Sequence, residues 1–339
     1  MKSSRTSSLQ NKKYLLFTVL AVLLVISVIL SICVGSVPIS LREIVTFITG
    51  GSAGVSHDAI IRYSRLPRTV GCLLAGMALA VSGAVIQSVL ANPLAAPNII
   101  GVNSGAGMAV TLWSIFFPGL VGFTPVAAFF GAFLSVMIVL LIAKKSGASK
   151  ITLVLAGVAV SGIFSAAIDA AVSFSPDALT AYSDFKIGGL ANAAFDRILP
   201  AGIIILISFV AVLSLCNELD VMMLGSDTAR SLGMNVRLIR PLFLAFAAAL
   251  AGAAVSFAGL LGFIGLIVPH IMRQLFGEQS RTLVISSAIG GAVMLLLCDL
   301  VARVLFAPYE ISVGIVLSFL GGPFFIWLLL RQRGGRYRD

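Results

Sequence analysis

Few side chains in this sequence could do chemistry, and their spacing narrows what that chemistry is. Of the two histidines, His57 lies in a polar stretch and His270 at the end of an apolar one, and no H-E-x-x-H spacing is present to grip a zinc ion. Cys33, Cys72, Cys216 and Cys298 are dispersed in apolar runs, without a C-x-x-C pair or a neighbouring histidine, so neither a disulfide framework nor a metal centre is expected. A phosphate loop needs glycine directly before its lysine, and none of the seven lysines follows a glycine. The chain is therefore expected not to hydrolyse ATP itself. With no nucleophile or metal set assembled, it reads as a non-enzyme that binds no cofactor of its own.

What remains is charge in unusual places. Asp169 and Asp299 each stand as the single acid in an apolar run. An ionisable group at membrane depth is a candidate for ion coupling, although Asp299 precedes Arg303 by four residues, a spacing that suits a helical ion pair. Arg62, Arg65, Arg68 and Arg303 fall on what the topology below makes the outer side. Their guanidinium forks could receive carboxylates from a soluble partner, or bind lipid headgroups, or pair with Glu310 and Asp299. The stretch 219–236 (LDVMMLGSDTARSLGMNV) reads as a short helix that Ser226 or Asp227 can cap and Gly233 can end. Met222, Met223, Leu224, Leu232 and Met234 would then offer an adaptable apolar surface to water, suited to docking a partner or folding back on the bundle.

The elements that carry these residues follow from composition. Of 339 residues, 59% are hydrophobic and 11% charged, against about 25% charged in an average soluble domain. The net charge of +10 is spread over short loops, which argues against nucleic acid as a partner and for a topology signal. Charge-free runs cover residues 14–41, 69–143, 198–217, 241–272 and 311–330, and a bilayer span needs about 20 apolar residues. Basic clusters before the first run (Lys2, Arg5, Lys12, Lys13) and after the last (Arg331, Arg333, Arg336, Arg338) place both termini in the cytoplasm. The run 69–143 must cross an odd number of times and is too long for one helix; three crossings fit, broken near Asn92–Pro97 and Pro118–Pro125. The 32 residues 241–272 are too few for two full spans, so one full helix plus one short or broken helix is expected, with Gly259, Gly262, Gly265 and Pro269 making the break.

The expected fold is thus an all-α polytopic membrane protein of about ten crossings, one of them short or broken. It has a cytoplasmic tail (1–13), a single transmembrane domain (14–330) with a cytoplasmic loop at about 217–240, and a cytoplasmic tail (331–339). This topology puts 16 basic residues inside and seven outside.

Motifs spread along most of the chain carry a resemblance. They are Arg65-Leu66-Pro67-Arg68, residues 76–87 (GMALAVSGAVIQ), Asn92-Pro93-Leu94-Ala95 with Pro97, residues 101–107 (GVNSGAG), the 224–233 loop, residues 262–270 (GFIGLIVPH) followed by Arg273, and residues 314–329 (GIVLSFLGGPFFIWLL). In this order they resemble the permease subunit of ABC importers for iron-siderophores, haem and vitamin B12. The resemblance implies a multi-pass protein of the bacterial cell membrane that pairs with a second permease chain, the same or homologous. It implies an external binding protein whose glutamates meet Arg65, Arg68 and Arg303. Two cytoplasmic ATP-binding subunits, which hold the ATP and magnesium, would engage Leu224, Gly225, Ser226, Asp227, Ala229, Arg230, Leu232 and Gly233. By the same resemblance, Gln87, Asn92, Pro93, Asn103, Ser104, Gly262, Gly265 and Pro269 belong to the translocation path or its gate. The cargo expected is a ferric siderophore, with haem or cobalamin as alternatives; an ion-coupled carrier working through Asp169 or Asp299 is the reading from another class.

Overall fold

The structure, a computed structural model, describes residues 2–35, 37–51, 54–146 and 149–333. Arg336 and Arg338 of the expected C-terminal tail lie outside the described residues, as do the side chains of Lys2, Arg5, Arg331 and Arg333. All regular structure among the described residues is helical: α1 (Lys2–Cys33), α2 (Leu41–Ile48), α3 (Val55–Ile60), α4 (Leu66–Leu90), α5 (Val102–Phe116), α6 (Thr124–Lys145), α7 (Lys150–Phe174) and α8 (Pro176–Ile187), then α9 (Phe195–Ser214), α10 (Cys216–Met223), α11 (Ser226–Ser231), α12 (Val236–Ala258), α13 (Ile264–Phe276), α14 (Ser280–Val304) and α15 (Val313–Arg333). A π-turn, Ile61–Arg65, joins α3 to α4 without interruption. Residues 2–13, expected as a tail, continue α1 as helix.

Eight of these segments are long and apolar enough to cross a bilayer. Two further helices fall short of span length: α5 with 15 residues and α13 with 13. One short helix had been expected. The second arises because residues 91–101 leave α4 through a left-handed Ala91 and reach Gly101 by way of a 3-10 turn at Pro97–Ile100, using up chain that a full span would need.

Glycine and alanine in α4 set the centre. A Cβ on Gly76 would enter the Gly291 backbone of α14, and one on Gly83 would enter the Gly265 backbone of α13. These close approaches let α4 pack against both helices almost backbone to backbone. The outer helices α1, α6 and α7 instead leave rows of large apolar side chains exposed. In water that would be an aggregation surface; in a bilayer it is the lipid face.

The break between α12 and α13 is held by backbone from elsewhere. Gly259 ends α12 at φ 68°. Leu260 N–H then donates to Phe185 O (3.0 Å) and Gly189 N–H to Ala258 O (2.8 Å), so the end of α8 satisfies groups that lipid could not. Gly314 N–H of α15 bonds Gly188 O (3.3 Å) at the same point.

Candidate functional site

Three places in the bundle carry polar chemistry. The first is at the end where α1 and α14 finish and α4 begins. Arg68 Nε donates to both oxygens of Asp299 (3.0 and 3.1 Å) and its Nη1 to Glu310 Oε2 (2.6 Å). Arg303, one turn after Asp299, places its Nε 3.1 Å from the same carboxylate. Its Nη1 donates to Ser31 O (3.0 Å) and Val34 O (3.2 Å), and its Nη2 to Ser31 Oγ (3.1 Å). Arg65 donates to Val34 O and Val37 O. The orphan carbonyls at the C-terminus of α1 thereby receive cationic donors, which also suits the helix dipole. Relative exposure is 5% for Arg65, 6% for Arg68, 2% for Arg303 and 0% for Asp299.

These arginines are therefore turned inward as a clasp joining α1, α4 and α14, so of the arrangements expected for them the structure shows the pairing with Asp299 and Glu310. The physical reason is desolvation: a cation at that depth needs partners, and the chain supplies them. The exposed cations at this end include Arg42, Lys186 and Arg62, the last lying 5.6 Å over the Phe47 ring. Asp299 is shared by two guanidinium groups, and Asp169 is exposed on α7.

The second place is a cavity of about 390 Å³ at the helix break, bounded by the 94–99 segment, α5, α13 and α15. Asn98 and Asn103 are its side-chain polar groups, and no charged residue lines it among the described residues. Phe263, on its wall, has φ 66°, a left-handed conformation rare for an aromatic residue. Its ring lies where a side chain on Gly321 of α15 would stand.

Of the residues expected on the path, Asn103, Gly262 and Gly265 line this cavity. Gln87 does not; it is buried behind the wall, where Nε2 donates to Gly265 O (3.2 Å) and Oε1 accepts from Arg273 Nη1 (3.1 Å). Pro269 explains why: it has no N–H to give to Gly265 O four residues back, and Gln87 supplies the missing donor. Ser104 turns away to Ser161 Oγ (3.0 Å) and Gly101 O (3.1 Å). Asn92 makes a turn in which Oδ1 accepts from Leu94 N–H (2.9 Å), with Pro93 inside that turn. Phe263, Asn98 and Phe325 were not foreseen; paired glycines at 321–322 were the available signal that something bulky approaches α15.

The third place is the 217–240 connection at the opposite end of α14. Helix α11 begins after Gly225 (φ 101°), with no side-chain cap. The expected cap, Ser226, instead accepts from Arg240 Nη2 (2.6 Å), and Asp227 pairs loosely with Arg230 (3.5 Å). Gly233, at φ 86°, does end the helix: its N–H reaches Arg230 O (2.9 Å) while Met234 N–H reaches Ala229 O (3.0 Å), a Schellman pair. Leu224 and Leu232 are 61% and 64% exposed. Met222 and Ala229, expected in the presented surface or loop set, are buried, and Met223 and Met234 are half-buried. Asp220 Oδ1 accepts from Ser280 N–H (2.8 Å), capping α14 from a neighbouring helix. Burial and nearby Asp220 push the Cys216 thiol up to about 11, so it stays protonated.

Known proteins are similar to this chain in sequence and in fold. The chain is 35% identical over 326 residues to the Fe(3+)-citrate import system permease protein YfmE of Bacillus subtilis (strain 168), covering 96% of this chain and 97% of that one. It is 38% identical over 278 residues to the hemin transport system permease protein HmuU of Yersinia pestis, covering 80% and 83%. A solved structure described as an inward-facing conformation of a metal-chelate type ABC transporter superposes with a TM-score of 0.83 at 30% identity, covering 93% of this chain and 99% of that one. Residues 23–331 match the model of the FecCD transport family, and with that match spanning both the helix break and the 224–233 loop, the chain belongs to the FecCD transport family.

Proposed function

We propose that this chain is the membrane-spanning permease of an ATP-driven importer and that its cargo is a ferric siderophore. What carries the reading is an uncharged cavity at a helix break together with an exposed docking loop, in a family whose similar members are named for ferric citrate, hemin and iron-hydroxamate import. An ATP-binding subunit, which holds the nucleotide and its magnesium, docks on the 224–233 loop through Leu224 and Leu232. Motion there passes to α14 through the Asp220 cap on Ser280. Because α14 is a 25-residue helix, it carries the displacement about 37 Å to the arginine clasp. A second permease copy or homologue closes the path, and an external binding protein delivers the chelate at the clasp end.

Arg65, Arg68 and Arg303 contribute to that docking by exchanging an internal partner for an external carboxylate. The Arg68–Glu310 pair is the accessible one, since the Glu310 side chain is about a third exposed. Haem is the second reading, favoured by the hemin permease relative. Reconstitution with the cognate ATPase and binding protein tests both: ATP-dependent accumulation of ferric siderophore and not of haem is expected. Accumulation of haem alone reverses the assignment, and accumulation of neither, with a folded complex, removes it.

A further inference from the structure

We propose that a basic cavity between α6, α7, α11 and α12 is a binding site for the phosphate headgroup of an acidic phospholipid. The cavity holds about 390 Å³ and is distinct from the one at the helix break. Lys144, Arg230, Arg237 and Arg240 line it, and no carboxylate does so among the described residues. Arg240 is buried, with its fork oriented by the Ser226 hydroxyl at 2.6 Å, while Lys144 and Arg237 are exposed at the rim. The remaining wall is aliphatic, including Leu140 and Leu153.

Depth decides what kind of anion fits. One span ends at Lys145, another starts at Lys150 and a third at Val236, so the cavity lies where three helices leave the hydrocarbon. At that level an anion attached to acyl chains meets both halves of the wall at once: phosphate at the cations, chain at the leucines. A free phosphate uses only the first half. A carboxylate of a docked ATP-binding subunit would approach from the aqueous side, where Arg230 already has Asp227 beside it at 3.5 Å. Lys144 and Arg237, on which the test turns, lie outside the 224–233 loop and away from the cavity at the helix break, so the proposal stands or falls independently of the transport reading.

The test uses the full chain in mixed phosphatidylglycerol and phosphatidylcholine nanodiscs, with retained lipid counted by native mass spectrometry. Enrichment of phosphatidylglycerol is expected, falling about 5-fold for each charge removed in Lys144→Gln and Arg237→Gln, which is the ~1 kcal/mol that a basic residue contributes near an anionic surface converted to a ratio. Lys144→Arg with Arg237→Lys should keep it, as should Lys186→Gln with Arg197→Gln, which remove charge elsewhere. Equal retention of both lipids by the parental chain would overturn the proposal. So would unchanged enrichment in the Gln pair, or inorganic phosphate raising thermal stability as much as phosphatidylglycerol does. If the Gln pair lost ATP-binding subunit while keeping its lipid, the cavity would be a protein contact and the lipid assignment would fall. Should the Gln pair fail to fold, the lipid and phosphate arms on the parental chain still decide.

Discussion

The bond from Gln87 to Gly265 makes a quantitative demand on Pro269. Gln87→Leu keeps the side-chain volume roughly constant while removing both donor and acceptor. Gly265 O then loses its donor at 3.2 Å, and Arg273 Nη1 loses its acceptor at 3.1 Å. A buried acceptor left unsatisfied costs about 1–3 kcal/mol. Arg273 is only half-buried and can recover a water, so the carbonyl dominates and a loss of about 2 kcal/mol is expected. At about 2–4 °C per kcal/mol in a large domain, the unfolding midpoint should drop by about 4–8 °C. Pro269→Ala supplies the N–H that the proline lacks. In the parental background Gly265 O is already bonded, and the change should be worth less than about 1 kcal/mol. In the Gln87→Leu background the new N–H completes the α13 ladder, and at least half the loss should return, an interaction energy of about 1 kcal/mol in the double-mutant cycle. The midpoint can be read from the temperature at which the monodisperse peak of detergent-solubilised protein halves. Strictly additive losses would refute the account of why a glutamine stands at this position.

Three further outcomes are expected. Asp299→Asn takes the shared carboxylate from Arg68 and Arg303, and breaking a buried pair of this kind costs about 3–5 kcal/mol, whereas Asp169→Asn at its exposed site should stay within about 0.5 kcal/mol; equal effects in thermal unfolding would dissolve the clasp. Leu224→Asp with Leu232→Asp should leave the midpoint unchanged but weaken ATP-binding subunit co-purification by about 10-fold or more, because each leucine buried at a partner contributes about 1.5–3 kcal/mol; parental yields would count against the loop as a dock. Glu43 is held down to about 2 by the Ser40 hydroxyl and backbone N–H, then by His57. Its folded value lies below its unfolded one, so its support for α2 is complete above about pH 4.5 and is lost as pH falls toward 2. Hydrogen exchange in residues 41–48 should accelerate only in that acid window, and Glu43→Gln should remove the dependence.

The spans were legible because lipid imposes a rule that sequence must obey openly: long apolar runs, with basic residues between them. The breaks were legible too, since Asn92-Pro93 and Pro118 mark the places where α4 and α5 end. The shortness of α5 was not. Its start depends on how far residues 91–101 run before helix resumes, and local propensity does not set that distance. The arginines show the same limit from another side. Asp299 and Arg303 sit four residues apart and announced themselves, but Arg68 closes on Asp299 across 231 residues, so pairing with Asp299 or Glu310 stood only as one option among three and no local spacing selected it. Gln87 reaches Gly265 across 178 residues, and only the proline at 269 hints that a carbonyl there needs a donor.

These long-range bonds share a logic that bears on how the bundle moves. Helix α14 is capped at its start by Asp220, from the helix just before the exposed loop, and clasped at its finish by Arg68, with Arg303 bonding the end of α1. Between those ends it meets α4 through glycines, with little side chain to deform. A helix anchored by charge at both termini and packed by backbone in the middle transmits displacement instead of absorbing it, because bending it would strip carboxylates of their donors at either end. The break at Gly259–Phe263 is the opposite kind of element. Its backbone is satisfied by the end of α8, it holds an aromatic residue at positive φ, and it borders the cavity. Under the proposed function, strain at the break beside the cavity and a stiff rod running from the 224–233 end are complementary parts: the rod would deliver motion, and the break is where the backbone can yield to it.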